Sequence, residues 1–198
     1  MLMVFDTETD GLVQKNFPAS HPSQPHLVQL ACLLIDGSGR EYASVSLIVK
    51  PEGYLIHEQA SKIHGITTEL AHDIGVPLRV AVACFTNLRA LADDGIAAHN
   101  MDFDQMVMDA AIHRIGAKPS NLGPARRICT MRESSELVGL PPTDRMRAAG
   151  FDKNKPPNLN ELHKFLFGEG FAGAHDAMTD ARACARCLLE LRKRGLCL

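Results

Sequence analysis

Two acids stand two residues apart near the start of the chain, Asp6 and Glu8, directly after the apolar run of residues 2–5. In an extended backbone both carboxylates point to one side and Thr7 to the other. Such a pair at the tip of a strand repels itself unless a cation sits between the two groups. Hard oxygen ligands of this kind suit Mg²⁺ or Mn²⁺ better than zinc. A solvated acidic turn would use the same residues. The segment His99-Asn-Met-Asp-Phe-Asp104 offers two more carboxylates, about 200° apart around a helix, so only one of Asp102 and Asp104 can face a given site. Spacing does not choose between them, and N-capping by Asn100 or Asp102 is the plainer use of these residues. Ala174-His-Asp-Ala-Met-Thr-Asp180 places His175 at the mouth of a last helix and Asp180 one to two turns inside it. A histidine beside carboxylates is the usual proton acceptor at neutral pH. Ala177, Ala181 and Ala185 would let that helix lie close to its neighbour.

The elements that must position these groups follow from pattern. Residues 2–5 read as a buried strand that enters a turn at Asp6. Residues 13–26 hold three prolines and no period, so they form a loop. Two strands, 27–35 and 41–49, flank a glycine-containing hairpin connection at 36–40. A short helix is expected over 57–63, and a longer one over 77–92 with Val80, Cys84, Leu88 and Leu91 along one face. A strand at 95–98, a helix at 102–115 and a last strand near 125–130 come next. Residues 139–158 form a second long, Pro-rich loop, and helices at about 159–167 and 176–194 close the chain. Loops of this length are usually functional or mobile. Three strands with hairpin-type links, followed by helices alternating with two more strands, describe a mixed α/β sheet covered by helices.

Composition bounds the rest. The 198 residues are 45% hydrophobic and 22% charged, which fits one globular domain spanning 1–198 and excludes a disordered tail protein. No apolar stretch approaches the ~20 residues of a membrane span, and no basic leader opens the chain, so a cytoplasmic location is expected. Six cysteines at 32, 84, 129, 184, 187 and 197 lie mostly in apolar runs and read as buried free thiols. Cys184 and Cys187 lack a second pair at zinc-like spacing, so packing is their expected role. With a net charge of −2, the protein has no global attraction for nucleic acid. Arg145, Arg147, Lys153 and Lys155 in the second loop, and Arg126, Arg127 and Arg132 around the last strand, would guide a polyanion or simply be solvated. His21 and His26 have no partner legible in the sequence.

Taken together, Phe5-Asp-Thr-Glu-Thr-Asp-Gly-Leu12, His99-Asn-Met-Asp-Phe-Asp104 and His175-Asp-Ala-Met-Thr-Asp180 resemble the three motifs of the DEDDh (DnaQ-like) exonucleases, the family of the proofreading epsilon subunit of DNA polymerase III. Lys62-Ile-His-Gly-Ile-Thr67 and Leu159-Asn-Glu-Leu-His-Lys-Phe-Leu-Phe-Gly168 add two auxiliary matches. The resemblance implies a ribonuclease H-like fold, a five-stranded mixed sheet whose first three strands are antiparallel, flanked by helices. It assigns Asp6, Glu8, Asp104 and Asp180 as ligands of two Mg²⁺ or Mn²⁺ ions and His175 as general base. It also places Thr7, His64, Ile66, Asn100 and Phe103 against the terminal nucleotide.

The implied activity is removal of nucleoside 5′-monophosphates from 3′ ends, with single-stranded DNA favoured and proofreading or DNA repair as the setting. Few phosphate contacts would make the enzyme distributive and salt-sensitive. Two rivals remain: the same motifs serve RNA 3′ ends in enzymes similar to oligoribonuclease and RNase T, and the same fold also serves as a non-catalytic nucleic-acid-binding module. Because the sequence stops directly after the last helix, without the extension by which an epsilon subunit attaches to its polymerase, polymerase association is not expected.

Overall fold

The computed structural model describes residues 1–122 and 125–196. Five strands form one sheet: β1 (Leu2–Thr9), β2 (Leu27–Ile35), β3 (Glu41–Ile48), β4 (Gly95–Ala98) and β5 (Arg127–Cys129), in the order β3-β2-β1-β4-β5. The first three run antiparallel, and β4 and β5 join parallel to β1, as expected for the ribonuclease H-like arrangement. The β2–β3 connection is built by Asp36, whose carboxylate accepts the backbone N–H groups of Ser38 and Arg40.

One boundary needs correction. β1 does not end at residue 5 but continues through the acids to Thr9. Its antiparallel neighbour carries it on, with Asp6 opposite Ala31, Thr7 opposite Leu30 and Glu8 opposite Gln29. The parallel partner β4, by contrast, reaches only as far as Val4. One edge of β1 is therefore bare beside Asp6, Thr7 and Glu8.

The helices are α1 (Glu58–His64), α2 (Thr68–Ile74), α3 (Leu78–Ala90), α4 (Met101–Arg114), α5 (Thr130–Val138), α6 (Asp144–Ala148), α7 (Leu159–Phe167) and α8 (Ala177–Lys193), with a 3₁₀ turn at Pro119–Leu122. Helices α2, α5 and α6 were not expected, for a shared reason: none carries an apolar stripe long enough to read. The single buried residue of α2 is Ala71, and the buried positions of α5 are Thr130 and Ser134. What starts α2 and α6 is a threonine cap, Thr67 accepting from Leu70 N–H and Thr143 from Met146 N–H.

Alternation along β1 splits the core in two. Met3 and Phe5 pack against α3 and α4, while Leu2 and Val4 pack against α7 and α8. On the first face Phe85 of α3 meets Phe5 edge-on, with ring centroids 5.1 Å apart. That contact sets the roll of α3: the buried positions are Ala81, Val82 and Phe85, while Val80 and Leu91 of the expected stripe are exposed. On the second face Ala177, Ala181 and Ala185 of α8 are all buried, as their small size predicted. Cys32, Cys129, Cys184 and Cys187 are buried free thiols and Cys84 is partly buried; Cys197 lies outside the described residues.

Both long loops are tied down. Gln24 is buried, and its side-chain amide donates to the carbonyls of Gln14 and Phe17. Arg114 of α4 donates to the carbonyls of Gln24 and Pro25. The two unassigned histidines find partners here: His26 bonds Asp10 at 2.8 Å and stacks on Tyr54, and His21 stacks on Phe17. In the second loop, Lys155 pairs with Glu161 at 2.6 Å and the Pro157 carbonyl meets His99 Nε2 at 3.0 Å. Among the described residues no helix is long and apolar enough to cross a membrane.

Candidate active site

Asp6 and Glu8 continue the even-numbered face of β1, the face covered by α8. That brings them to the start of α8, where the ligand atoms of Glu8, His175 and Asp180 all lie within 4.8 Å of one another. Asp104 arrives from the opposite layer, around the bare edge of β1. Asn100, in the left-handed region at φ 75°, turns the chain from β4 into α4 and swings Asp104 toward that edge. There the Thr7 N–H, which has no strand to bond, donates to Asp104 Oδ1 at 3.0 Å, and the Thr7 hydroxyl donates to the same oxygen at 2.8 Å. Asp104 is 3% exposed, while Asp102 points outward toward Arg132 at 3.6 Å. The fold thus makes the choice that spacing could not.

The four carboxylates sit unfavourably as anions. Burial, then Asp104, Asp180 and Glu8, push the Asp6 pKa well above the ordinary carboxylate range. Glu8 is pushed up to about 8 by burial and then by Asp180 and Asp104. Burial raises Asp104 to about 7 against the opposing Thr7 hydrogen bonds, and burial also raises Asp180. Asp180 accepts the His175 N–H through Oδ2, but its Oδ1 is buried with no hydrogen-bond partner. A set of converging oxygens, mutually repelling and with one orphaned, is the donor set a divalent cation satisfies. The residues present therefore fit a metal centre.

The other expected contacts are distributed unevenly. Thr7 is buried, and its hydroxyl is committed to Asp104. Ile66 is buried in a small cluster with Val28, Ile56 and Ala71. Phe103 is partly buried against the α3–α4 side of the core, and Asn100 is exposed. His64 is partly buried; its Nδ1 accepts the Ile66 N–H, its Nε2 has no partner, and burial holds its pKa low. His175 is exposed at the opening of the site, with its own backbone in the left-handed region at φ 71°. Of the basic residues, Arg147, Lys155, Arg126 and Arg132 all have acidic partners. His99 opens the second motif, but no role for it is legible in the sequence. It ties β4 to Thr130 and Pro157, and burial lowers its pKa to about 4.

Known proteins resemble the chain in family and in fold. The family model RNase_T, described as exonuclease, matches residues 3–188. No curated protein sequence matches the chain. Among solved structures, E. coli exonuclease I in complex with a dT13 oligonucleotide superposes with a TM-score of 0.76 at 22% identity, over 98% of this chain and 41% of that one. The zinc-bound form of the E. coli exonuclease I–ssDNA complex gives 0.75 at 20% identity, again over 98% and 41%. The exonuclease I of Methylocaldum szegediense gives 0.75 at 22% identity, over 98% and 40%. The chain thus spans about two fifths of the length of these exonucleases. With a family match over nearly its whole length and the three acidic motifs converging on one site, the chain belongs to the exonuclease family, within the DEDDh class.

Proposed function

We propose that the protein is a metal-dependent 3′–5′ exonuclease that releases nucleoside 5′-monophosphates from single-stranded DNA. The observation that carries this reading is the convergence of Glu8, His175 and Asp180 within 4.8 Å, with Asp6 and the Thr7-held Asp104 behind them. Asp6, Glu8, Asp104 and Asp180 would hold two Mg²⁺ or Mn²⁺ ions. Cations bound there would supply positive charge to the attacking and leaving oxygens and would acidify the attacking water. His175, at the solvent-exposed opening, takes the proton of that water; as the P–O bond breaks, the departing 3′ oxygen of the shortened strand takes a proton from solvent, and His175 returns its own to solvent. Thr7 keeps Asp104 in place through two hydrogen bonds and so holds the far side of the site while the phosphate is transferred. By the family resemblance, His64, Asn100 and Phe103 would contact the terminal nucleotide. The choice of single-stranded DNA draws support from the oligonucleotide complexes of the structurally similar exonuclease I.

The test is a time course on 5′-labelled single-stranded DNA and RNA of equal sequence, in Mg²⁺, Mn²⁺ or EDTA, beside the Asp6→Ala protein. A ladder that shortens from the 3′ end of DNA, is silenced by EDTA and is absent in the variant is the expected result. Faster loss of RNA would reassign the substrate, and intact polymers in Mn²⁺ with folded protein would overturn the enzymatic reading.

A further inference from the structure

Strand β2 is buried along its whole length and apolar at every position but one, Gln29. This glutamine sits beside Glu8 in the β1–β2 register. Its side-chain amide crosses to the start of α8, 147 and 148 residues away in the chain. Nε2 donates to Asp176 Oδ2 at 3.0 Å and to the Ser46 hydroxyl on β3 at 3.2 Å, and Oε1 accepts the Ala177 N–H at 3.1 Å. Asp176 uses its other oxygen to cap α8, accepting both the N–H and the hydroxyl of Thr179 at 2.9 Å. One side chain therefore grips both the cap residue and the first N–H of the helix that carries Asp180. The residue on the other side of that grip is His175.

We propose that Gln29 is a positioning residue: it fixes the start of α8 on the sheet and thereby places His175 and Asp180 against Asp6 and Glu8. The proposal rests on the metal-dependent exonuclease reading. Its physical content is a polarity lock. The segment 168–175 that leads into α8 carries Gly168, Gly173 and His175 in the left-handed region, so backbone preference alone does not specify where His175 sits. The amide supplies what the loop lacks, a directional contact with a donor on one side and an acceptor on the other. Only glutamine offers both at this reach, since glutamate has two acceptors and methionine neither. Outer-shell contacts that orient metal ligands typically account for 10- to 100-fold in affinity or activity.

The lock makes a charge-conserving rescue possible. Gln29→Glu sets two carboxylates face to face. Asp176→Asn keeps the Thr179 cap but sets two amide donors against each other. Combined, Q29E/D176N restores one hydrogen bond with its direction reversed and the same net charge as the wild type. The experiment measures Mn²⁺ affinity by calorimetry, kcat and KM on a single-stranded oligonucleotide, and Tm, for the wild type, both single variants and the double. Each single variant is expected to lose about 10- to 100-fold in Mn²⁺ affinity and in kcat with KM little changed. The double should recover most of both. Singles that lower Tm but keep wild-type Mn²⁺ affinity and kcat per folded molecule would overturn the proposal, as would a double no better than the worse single. A wild type that binds Mn²⁺ but cleaves nothing would sink the exonuclease reading, and the Mn²⁺ cycle would still decide the role of Gln29. Absence of Mn²⁺ binding by folded wild type would overturn both.

Discussion

The two arms that meet at β1 are built on opposite plans. The Asp104 arm is short and prefixed: a helix follows directly on β4, and a buried carboxylate receives two hydrogen bonds from Thr7 at the bare edge of the strand. The His175–Asp180 arm is long and suspended. It arrives through a glycine-containing segment, leaves His175 exposed and Asp180 Oδ1 unpartnered, and is anchored to the sheet through Gln29. In the first arm the carboxylate itself is buried in the core; in the second only the helix is, and the segment that carries His175 into it lies exposed. Such an asymmetry suits a site with one fixed wall and one wall open to a polymer end and to water.

Changes to the two arms should separate stability from activity. Replacement of Asp104 by Ala should abolish more than about a hundredfold of the nuclease activity, because loss of a ligand exceeds the effect of losing its outer partner. Asp102→Ala, two residues away and exposed, should stay within about twofold; comparable losses in the two variants would erase the distinction between the inward and outward acid. On the suspended arm, His175→Gly removes the proposed base and relieves a non-glycine residue at φ 71°. Activity should fall about 10²- to 10⁴-fold, with Tm unchanged or raised. A lowered Tm would mean that the imidazole supports the fold. Thr7→Val should lower kcat by about tenfold, since the backbone N–H still holds Asp104, and Thr7→Ser should restore it.

The acids also predict how pH acts on the metal-free protein. Carboxylates titrate near pH 4 when unfolded, whereas Glu8 and Asp104 are held at about 8 and about 7 in the folded state. Between those limits the folded protein binds more protons than the unfolded chain, so stability falls as pH rises from about 4 to about 8. Thermal melts in EDTA should show Tm dropping across that window, and Mn²⁺ should flatten the slope. A flat profile in EDTA would mean that the four carboxylates do not repel in solution as their burial requires. The smallest effect on activity is expected in loop 13–26. Gln24→Ala should lower stability by about 1–3 kcal/mol by removing the buried amide and its several hydrogen bonds to the loop backbone, with cleavage of a short oligonucleotide changed little; a large loss of activity would make this loop part of the site.

Much of this is legible in the sequence. The acids, their order and the strand and helix that carry each were readable because hydrophobic periodicity is local, and Phe5, Ile96 and Leu188 announce their elements within a few residues. Helices α2, α5 and α6 were hidden because their buried faces are small or polar, as at Ala71, Thr130 and Ser134. The buried face of α3 departs from the stripe of Val80, Cys84, Leu88 and Leu91 because the decisive contact, Phe85 on Phe5, joins residues 80 positions apart. Similarity of motif chose Asp104 over Asp102. The physical reason, that β1 outruns β4 and leaves the Thr7 N–H for a carboxylate, exists only once the sheet is assembled.

By itself, then, the sequence determined which groups could do chemistry and which segments carry them, since residue type and period are properties of neighbours in the chain. The tertiary structure alone decided how those groups are held: Thr7 on Asp104 across 97 residues, Gln29 on the start of α8 across 147, His26 on Asp10, and the stapling of loop 13–26 by Gln24. Hydrogen bonds of that kind depend on strand order and on which layer each helix covers, and no local pattern encodes either.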